Sequence, residues 1–142
     1  MKTFFCWVLL SCWLSVGGGL DSPAHAGEPL LEMIRFEHSV QEEKVFLQLN
    51  GFYPPEVFAI KGEKPRMVCD FKNVRLSETI EKVTETKGNL ILRIRVGIHT
   101  APAPKTRVVL DLVPHKNYTI EQNFFQQDNT YVLSIRPKNP TQ

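Results

Sequence analysis

The second half of the sequence repeats the first, and this repeat constrains the fold more than any other feature. Four short segments of the first half recur in the same order in the second half, at a nearly constant displacement along the chain. The pairs are IRF 34–36 with IRV 94–96, KVFLQL 44–49 with RVVLDL 107–112, FAI 58–60 with YTI 118–120, and MVCDF 67–71 with YVLSI 131–135. The repeat predicts two copies of one structural unit, and loop insertions account for the small changes in displacement.

Apolar and polar residues alternate within the repeated segments, which is the pattern of a β-strand with one buried face. Each half contains about four such strands, and four amphipathic strands cannot bury their apolar face alone. We therefore predict an all-β protein, a β-sandwich of two related sheets of about four strands, with one half of the repeat stacked on the other. Leu47 and Leu110 are expected to occupy equivalent positions in the core.

The segment LSETIEKV, residues 76–83, is the one candidate for a helix. Leu76, Ile80 and Val83 have helical spacing, and Ser77 could cap the first turn. The segment is short and rich in β-branched residues, however, so an extended connector between two strands is an equal alternative.

The start of the chain, residues 1–26, has the three parts of a secretory signal peptide: a basic beginning, an apolar run, and Ala24-His25-Ala26 as a cleavage site. The apolar run is shorter than the roughly 20 residues of a membrane-spanning helix, so no membrane span is expected. A lipoprotein signal with Cys12 as the lipid anchor is the alternative. We divide the chain into a signal peptide (1–26), one domain (27–136) and a polar tail (137–142).

Composition and motifs argue against several classes of function. A formal charge of +2 is too weak a bias for a nucleic-acid binder. The sequence has no H-x-x-H or H-E-x-x-H zinc motif, no G-x-S-x-G nucleophile elbow and no glycine-rich phosphate loop. We expect no enzyme activity, no metal and no cofactor. Cys69 is the one cysteine beyond the predicted signal, and it is expected to be a buried hydrophobe rather than a reactive thiol.

Charged residues alternate with the core residues and define a polar face. Asp111 is expected to orient Arg107 or a neighbouring arginine, and Asp70 lies on the corresponding face of the first half. As a solvated surface, each Arg–Asp pair contributes at most about 1 kcal/mol, so alanine at Arg95 or Arg107 should leave the fold largely intact. As a binding platform, the planar guanidinium groups would hold carboxylates. The candidate binding residues are Arg35, Arg66, Arg93, Arg95, Arg107 and Asp111.

Three segments together resemble an AMIN domain: TRVVLDL at 106–112, RIRVG at 93–97 and PRMVCDF at 65–71. AMIN domains occur in periplasmic N-acetylmuramyl-L-alanine amidases and in type IV pilus secretins. Cys69 departs from the aliphatic residue of the pattern, and we expect a stand-alone domain without an attached amidase or secretin segment. The resemblance implies a sandwich of two related sheets, a periplasmic location, and a non-catalytic module that binds peptidoglycan and helps to localise envelope machinery such as a secretin, an amidase or the division apparatus.

A second hypothesis is an accessory protein-interaction subunit of a secretin or type IV pilus type outer-membrane complex. Such a subunit could contact its partner through exposed strand edges. The arginine-rich face favours peptidoglycan as the ligand. The aromatic pairs Phe52-Tyr53 and Phe124-Phe125 are consistent with an apolar patch that binds a protein, so this alternative stays open.

Overall fold

Alternating apolar residues build ten β-strands in the computed structural model, which describes residues 27–138. Sheet I has the order β5-β1-β2-β10-β9, and sheet II has the order β3-β4-β8-β7-β6. The strands are β1 Leu30–His38, β2 Glu43–Leu49, β3 Glu56–Ile60, β4 Arg66–Lys72, β5 Arg75–Leu76, β6 Val83–Glu85, β7 Ile91–His99, β8 Lys105–Leu112, β9 Tyr118–Phe125 and β10 Thr130–Pro137. The predicted all-β sandwich is confirmed. The predicted signal peptide and residues 139–142 of the tail lie outside the described residues.

Each half of the repeat contributes one hairpin to each sheet. Sheet I combines β1–β2 with β9–β10, and sheet II combines β3–β4 with β7–β8. The prediction that each half forms its own sheet was therefore wrong. Pairing β2 with β10 and β4 with β8 gives the most apolar strands a hydrogen-bonded neighbour on both sides. The short strands β5 and β6 extend the predicted four strands of each sheet to five.

The core lies between the two sheets and is formed by the inward-facing residues of the central strands. Leu47 of sheet I and Leu110 of sheet II are both fully buried, as expected. The strand register makes their positions equivalent, because each lies in the middle strand between the partners that the repeat predicts. Burying a side chain of this size stabilises the fold by about 1.5–3 kcal/mol. Other fully buried core residues are Leu31, Val45, Cys69, Phe71, Ile91, Val108, Leu133 and Ile135.

The helix candidate at residues 76–83 is an extended connector in the structure. Its first residue, Leu76, pairs in parallel with Leu31 of β1, and its last residue, Val83, pairs with Arg95 of β7. A turn joins the two short strands, and Ile80 packs partly against the core. Both sheets offer an open edge to this segment, so strand hydrogen bonds replace those of a short helix.

Glu43 ties the two sheets together through a buried carboxylate. It lies in β2 of sheet I with only 1% of its surface exposed. Its oxygens accept the backbone N–H groups of Asn89, Leu90 (3.0 Å) and Ile91 (2.8 Å), where the chain enters β7 of sheet II. Gly88 allows this approach, because a Cβ there would lie 2.5 Å from a carboxylate oxygen. Three N–H donors offset the loss of hydration when this charge is buried.

We expect Glu43→Ala to lower the free energy of unfolding by about 3 kcal/mol, because buried N–H groups lose a charged acceptor. The adjacent Glu42→Ala is the matched control. Glu42 pairs with Lys44 and Arg136 at the surface, so its loss should cost about 1 kcal/mol or less. Urea unfolding of both variants measures the difference, and equal losses would contradict a special role for Glu43.

Candidate functional site

The outer face of sheet II, the face turned away from the core, brings together five of the six predicted site residues. Strand pairing places Arg66 of β4 and Arg93 of β7 on either side of Asp111 of β8. Arg95 lies two residues along β7 on the same face, and Arg107 of β8 lies opposite Asp70 of β4. The polar face predicted from the alternation therefore exists for these residues.

Arg35 lies elsewhere, and the prediction that it belongs with the other five candidate binding residues was wrong. It belongs to β1 and occupies the outer face of sheet I, where its guanidinium carbon lies 3.9 Å from the centroid of the Phe46 ring. It also forms an ion pair with Glu37. The reason is topological: β1 and β4 belong to the same half of the repeat but to different sheets.

Asp111 orients two arginines of β7. Its carboxylate accepts two hydrogen bonds from Arg95, at 2.8 Å from Nε and 2.6 Å from Nη2. The Nε of Arg93 lies 2.9 Å from Asp111 Oδ2. The sequence predicted that Asp111 orients either Arg107 or a neighbouring arginine. The structure shows the second arrangement, because Asp111 contacts Arg93 and Arg95.

Asp70 holds Arg107 in an ion pair whose carboxylate is nearly buried. The Asp70 side chain is only 6% exposed, and Arg107 donates to it from Nε at 2.6 Å and Nη2 at 2.7 Å. Lys105 adds a third contact at 2.8 Å. The hydrogen bonds from Arg107, followed by those from Lys105, lower the pKa of Asp70 to about 2 in spite of its burial. Because of this pair, we expect the loss of Arg107 to destabilise the fold more than the loss of an exposed arginine would.

Arg66 is the arginine of this face whose guanidinium is not engaged. Of the seven arginines in residues 27–138, the other six each form an ion pair with a carboxylate. Within the same residues Arg66 has no ion-pair partner, and its Nε is buried without a hydrogen bond. Asp111, its neighbour across the strands, is already occupied by Arg93 and Arg95.

A cleft of about 600 Å³ adjoins Arg66 and is here called the Arg66 cleft. Its basic groups are Lys64, Arg66, Arg93 and Arg95, and Leu92 is an apolar residue with 43% exposure. The remaining lining residues are Glu63, Pro65, Asp111, Leu112 and Pro114. An unengaged guanidinium at the wall of such a cleft can bind a carboxylate through two parallel hydrogen bonds. The sequence reasoning missed Lys64, Leu92 and Pro114, because turn residues and bulges fall outside the alternation.

The thiol of Cys69 is inaccessible in the folded protein. It is fully buried in β4, and burial, followed by the charge of Asp70, raises its pKa to about 12. A thiol with this pKa stays protonated near neutral pH and is a poor nucleophile. Between residues 27 and 138, no group of three or more His, Cys, Asp or Glu side chains is placed to hold a metal ion. No helix in this part of the chain is long and apolar enough to cross a membrane.

We expect Asp70→Asn to lower the free energy of unfolding near pH 7 by about 2 kcal/mol. This is the energy that corresponds to the lowering of the Asp70 pKa from 3.8 to about 2. Because the folded-state pKa lies below the ordinary 3.8, the carboxylate stabilises the fold above about pH 4, and this contribution is lost as the pH falls toward 2. Urea unfolding between pH 7 and 2 should therefore show a flatter pH dependence in the variant. Glu56→Gln, which alters the exposed Glu56–Lys72 pair, serves as the control. An unchanged acid dependence in Asp70→Asn would contradict the role of this pair.

The family model of the AMIN domain matches residues 33–139. The match takes in residues 33–38 of β1, the nine later strands and the whole outer face of sheet II. No curated protein and no solved structure gives a significant match to the chain.

Proposed function

The chain belongs to the AMIN domain family, and on this premise we propose that it attaches to peptidoglycan in the periplasm and helps to localise envelope machinery. AMIN domains are periplasmic, non-catalytic modules that bind peptidoglycan in amidases and secretins. The observation that carries the proposal for this chain is Arg66, a guanidinium without an internal partner beside a basic cleft.

The chemistry of the Arg66 cleft suits a peptidoglycan fragment. The peptide stems of peptidoglycan carry carboxylates, and its sugars carry hydroxyl groups. Arg66 would bind a stem carboxylate, and Lys64 would add a second positive charge at the rim. Leu92 and Pro114 offer apolar contact to the ligand.

The other predicted residues take different roles in this proposal. Arg93 and Arg95 contribute the N–H donors that Asp111 leaves unused, and Asp111 is a positioning residue that fixes both side chains. Arg107 supports the sheet through Asp70 and is not expected to bind the ligand directly. Arg35 stands on the opposite side of the sandwich and has no role in this site.

Export and partners are part of the same proposal. A cleaved signal peptide over residues 1–26 would deliver the domain to the periplasm, and lipidation at Cys12 is the alternative. The second candidate function is an accessory protein-interaction subunit of a secretin or type IV pilus type outer-membrane complex. That candidate is favoured by the unpaired outer edge of β9.

We expect Arg66→Ala to weaken binding to purified peptidoglycan sacculi by about tenfold or more, because a charge-assisted contact contributes about 1.5–3 kcal/mol. Its melting temperature should stay close to that of the unaltered protein, since no ion pair is lost. Arg66→Lys should bind with intermediate strength, because it retains the charge but loses the planar fork. Co-sedimentation with sacculi at low and moderate salt measures binding.

Arg75→Ala is the matched control for this experiment. It removes the same charge from β5 at the edge of sheet I, where Arg75 pairs with Glu28 in an exposed position. If Arg66→Ala and Arg75→Ala bind equally well, the Arg66 cleft is not the site. If the unaltered protein does not sediment with sacculi at all, the peptidoglycan proposal fails.

A further inference from the structure

Within residues 27–138, the outer edge of β9, at one side of sheet I, is unpaired along the whole strand. β9 spans the eight residues Tyr118–Phe125 and pairs with β10 alone, in a continuous register without a bulge. Exposed edges in natural proteins are commonly protected by lysine, proline, bulges or short length. β9 contains neither lysine nor proline, and its one charged residue, Glu121, is paired with Arg136 at 3.0 Å.

Four alternate residues of β9 direct their backbone groups away from β10. Just before the strand, the carbonyl of Asn117 accepts the N–H of Lys138, so Asn117 faces β10. In an antiparallel pair the direction alternates, and it is therefore Tyr118, Ile120, Gln122 and Phe124 that present N–H and C=O groups to the open edge. Pro137 stands opposite Tyr118, where no N–H donor is needed.

The open edge borders a basic cleft between the two sheets, here called the edge cleft, with a volume of about 1220 Å³. It lies between the end of β3 and the start of β9, and Ala59 and Ile120 form part of its apolar wall. The basic residues that line it are Lys61, Arg66, His115, Lys116 and Lys138, and none of the lining residues is acidic. Among the described residues, these lysines form no ion pair, although Lys116 donates to the carbonyl of Asn89.

We propose that an extended, acidic peptide segment of a partner protein adds a strand to the outer edge of β9 and places its acidic side chains in the edge cleft. The backbone of β9 supplies the hydrogen bonds of strand addition, and the unpaired lysines supply the charge complementarity. A second copy of the chain, adding its own β9 as the extra strand, fits less well. The one carboxylate of β9, Glu121, is already paired with Arg136 and so would not supply a free negative charge to the edge cleft. This surface is distinct from the outer face of sheet II, although Arg66 lines both clefts.

The test uses a fluorescently labelled octapeptide that alternates valine and glutamate, with both ends blocked. Fluorescence anisotropy with the purified protein should show binding that weakens as salt increases. A matched peptide with lysine in place of glutamate should bind about tenfold more weakly or worse, because it meets a cleft of like charge. A Lys116→Glu/Lys138→Glu double variant should lose affinity for the acidic peptide by a similar factor.

Gln122→Pro tests the strand addition itself. Proline removes the central N–H of the open edge, and it is tolerated in an edge strand where that N–H faces solvent. Gln122→Ala is the control, because it also loses the side-chain contact with Tyr131 but keeps the backbone N–H. We expect Gln122→Pro to weaken peptide binding by about tenfold or more, and Gln122→Ala to bind as the unaltered protein does.

Several outcomes would overturn the proposal: no binding of the acidic peptide, equal binding of the acidic and basic peptides, or undiminished binding to a folded Gln122→Pro. Self-association without peptide that Gln122→Pro abolishes would identify a second copy as the occupant and overturn the acidic partner. If Gln122→Pro does not fold, the double lysine variant decides the question. Sedimentation with sacculi should be unchanged in Gln122→Ala and Gln122→Pro, which separates this proposal from peptidoglycan binding.

Discussion

The pairing of β4 with β8 is the interaction on which the candidate site depends. It joins the two halves of the repeat by backbone hydrogen bonds, and its register places Arg66 opposite Asp111 and Asp70 opposite Arg107. Asp70 thus meets an arginine from a strand distant in sequence, whereas Asp111 pairs with the two arginines of β7, its neighbour in the hairpin. A shift of one residue would turn these charges into the core and the apolar residues to solvent. The apolar pattern that fixes the core register therefore also fixes the arrangement of charges outside it.

The alternation of residues predicted local structure well, because it depends only on which side of a strand a residue faces. Arg93, Arg95 and Asp111 lie outside the core as predicted, and Leu110 lies inside it. The assignment of hairpins to sheets was beyond this reasoning, since it depends on contacts between segments that lie in different halves of the repeat. Arg35 was misplaced for that reason. The sequence also could not predict that Arg66 has no ion-pair partner. Three arginines lie around the Asp111 carboxylate, and Arg93 and Arg95 occupy it.

The two proposed binding surfaces, the outer face of sheet II and the outer edge of β9, lie in different parts of the sandwich and use different chemical groups. The outer face of sheet II offers side chains, and its specificity would come from guanidinium geometry. The edge of β9 offers backbone groups, and its specificity would come from the charges of the edge cleft. Both surfaces are built on strands held by the same core, so each can be altered at positions that leave the core residues unchanged. Arg66 is the residue through which occupation of one cleft could influence the other.

The burial of Cys69 has a consequence for the proposed periplasmic location of this domain. Past residue 26 the sequence has no second cysteine with which it could form an internal disulfide. In an oxidising compartment a lone thiol can still couple to other molecules, and here full burial and a pKa of about 12 suppress that reaction. The thiol becomes reactive only when β4 separates from its neighbours. Its rate of modification by a thiol reagent therefore reports how often the sandwich opens, without any added label.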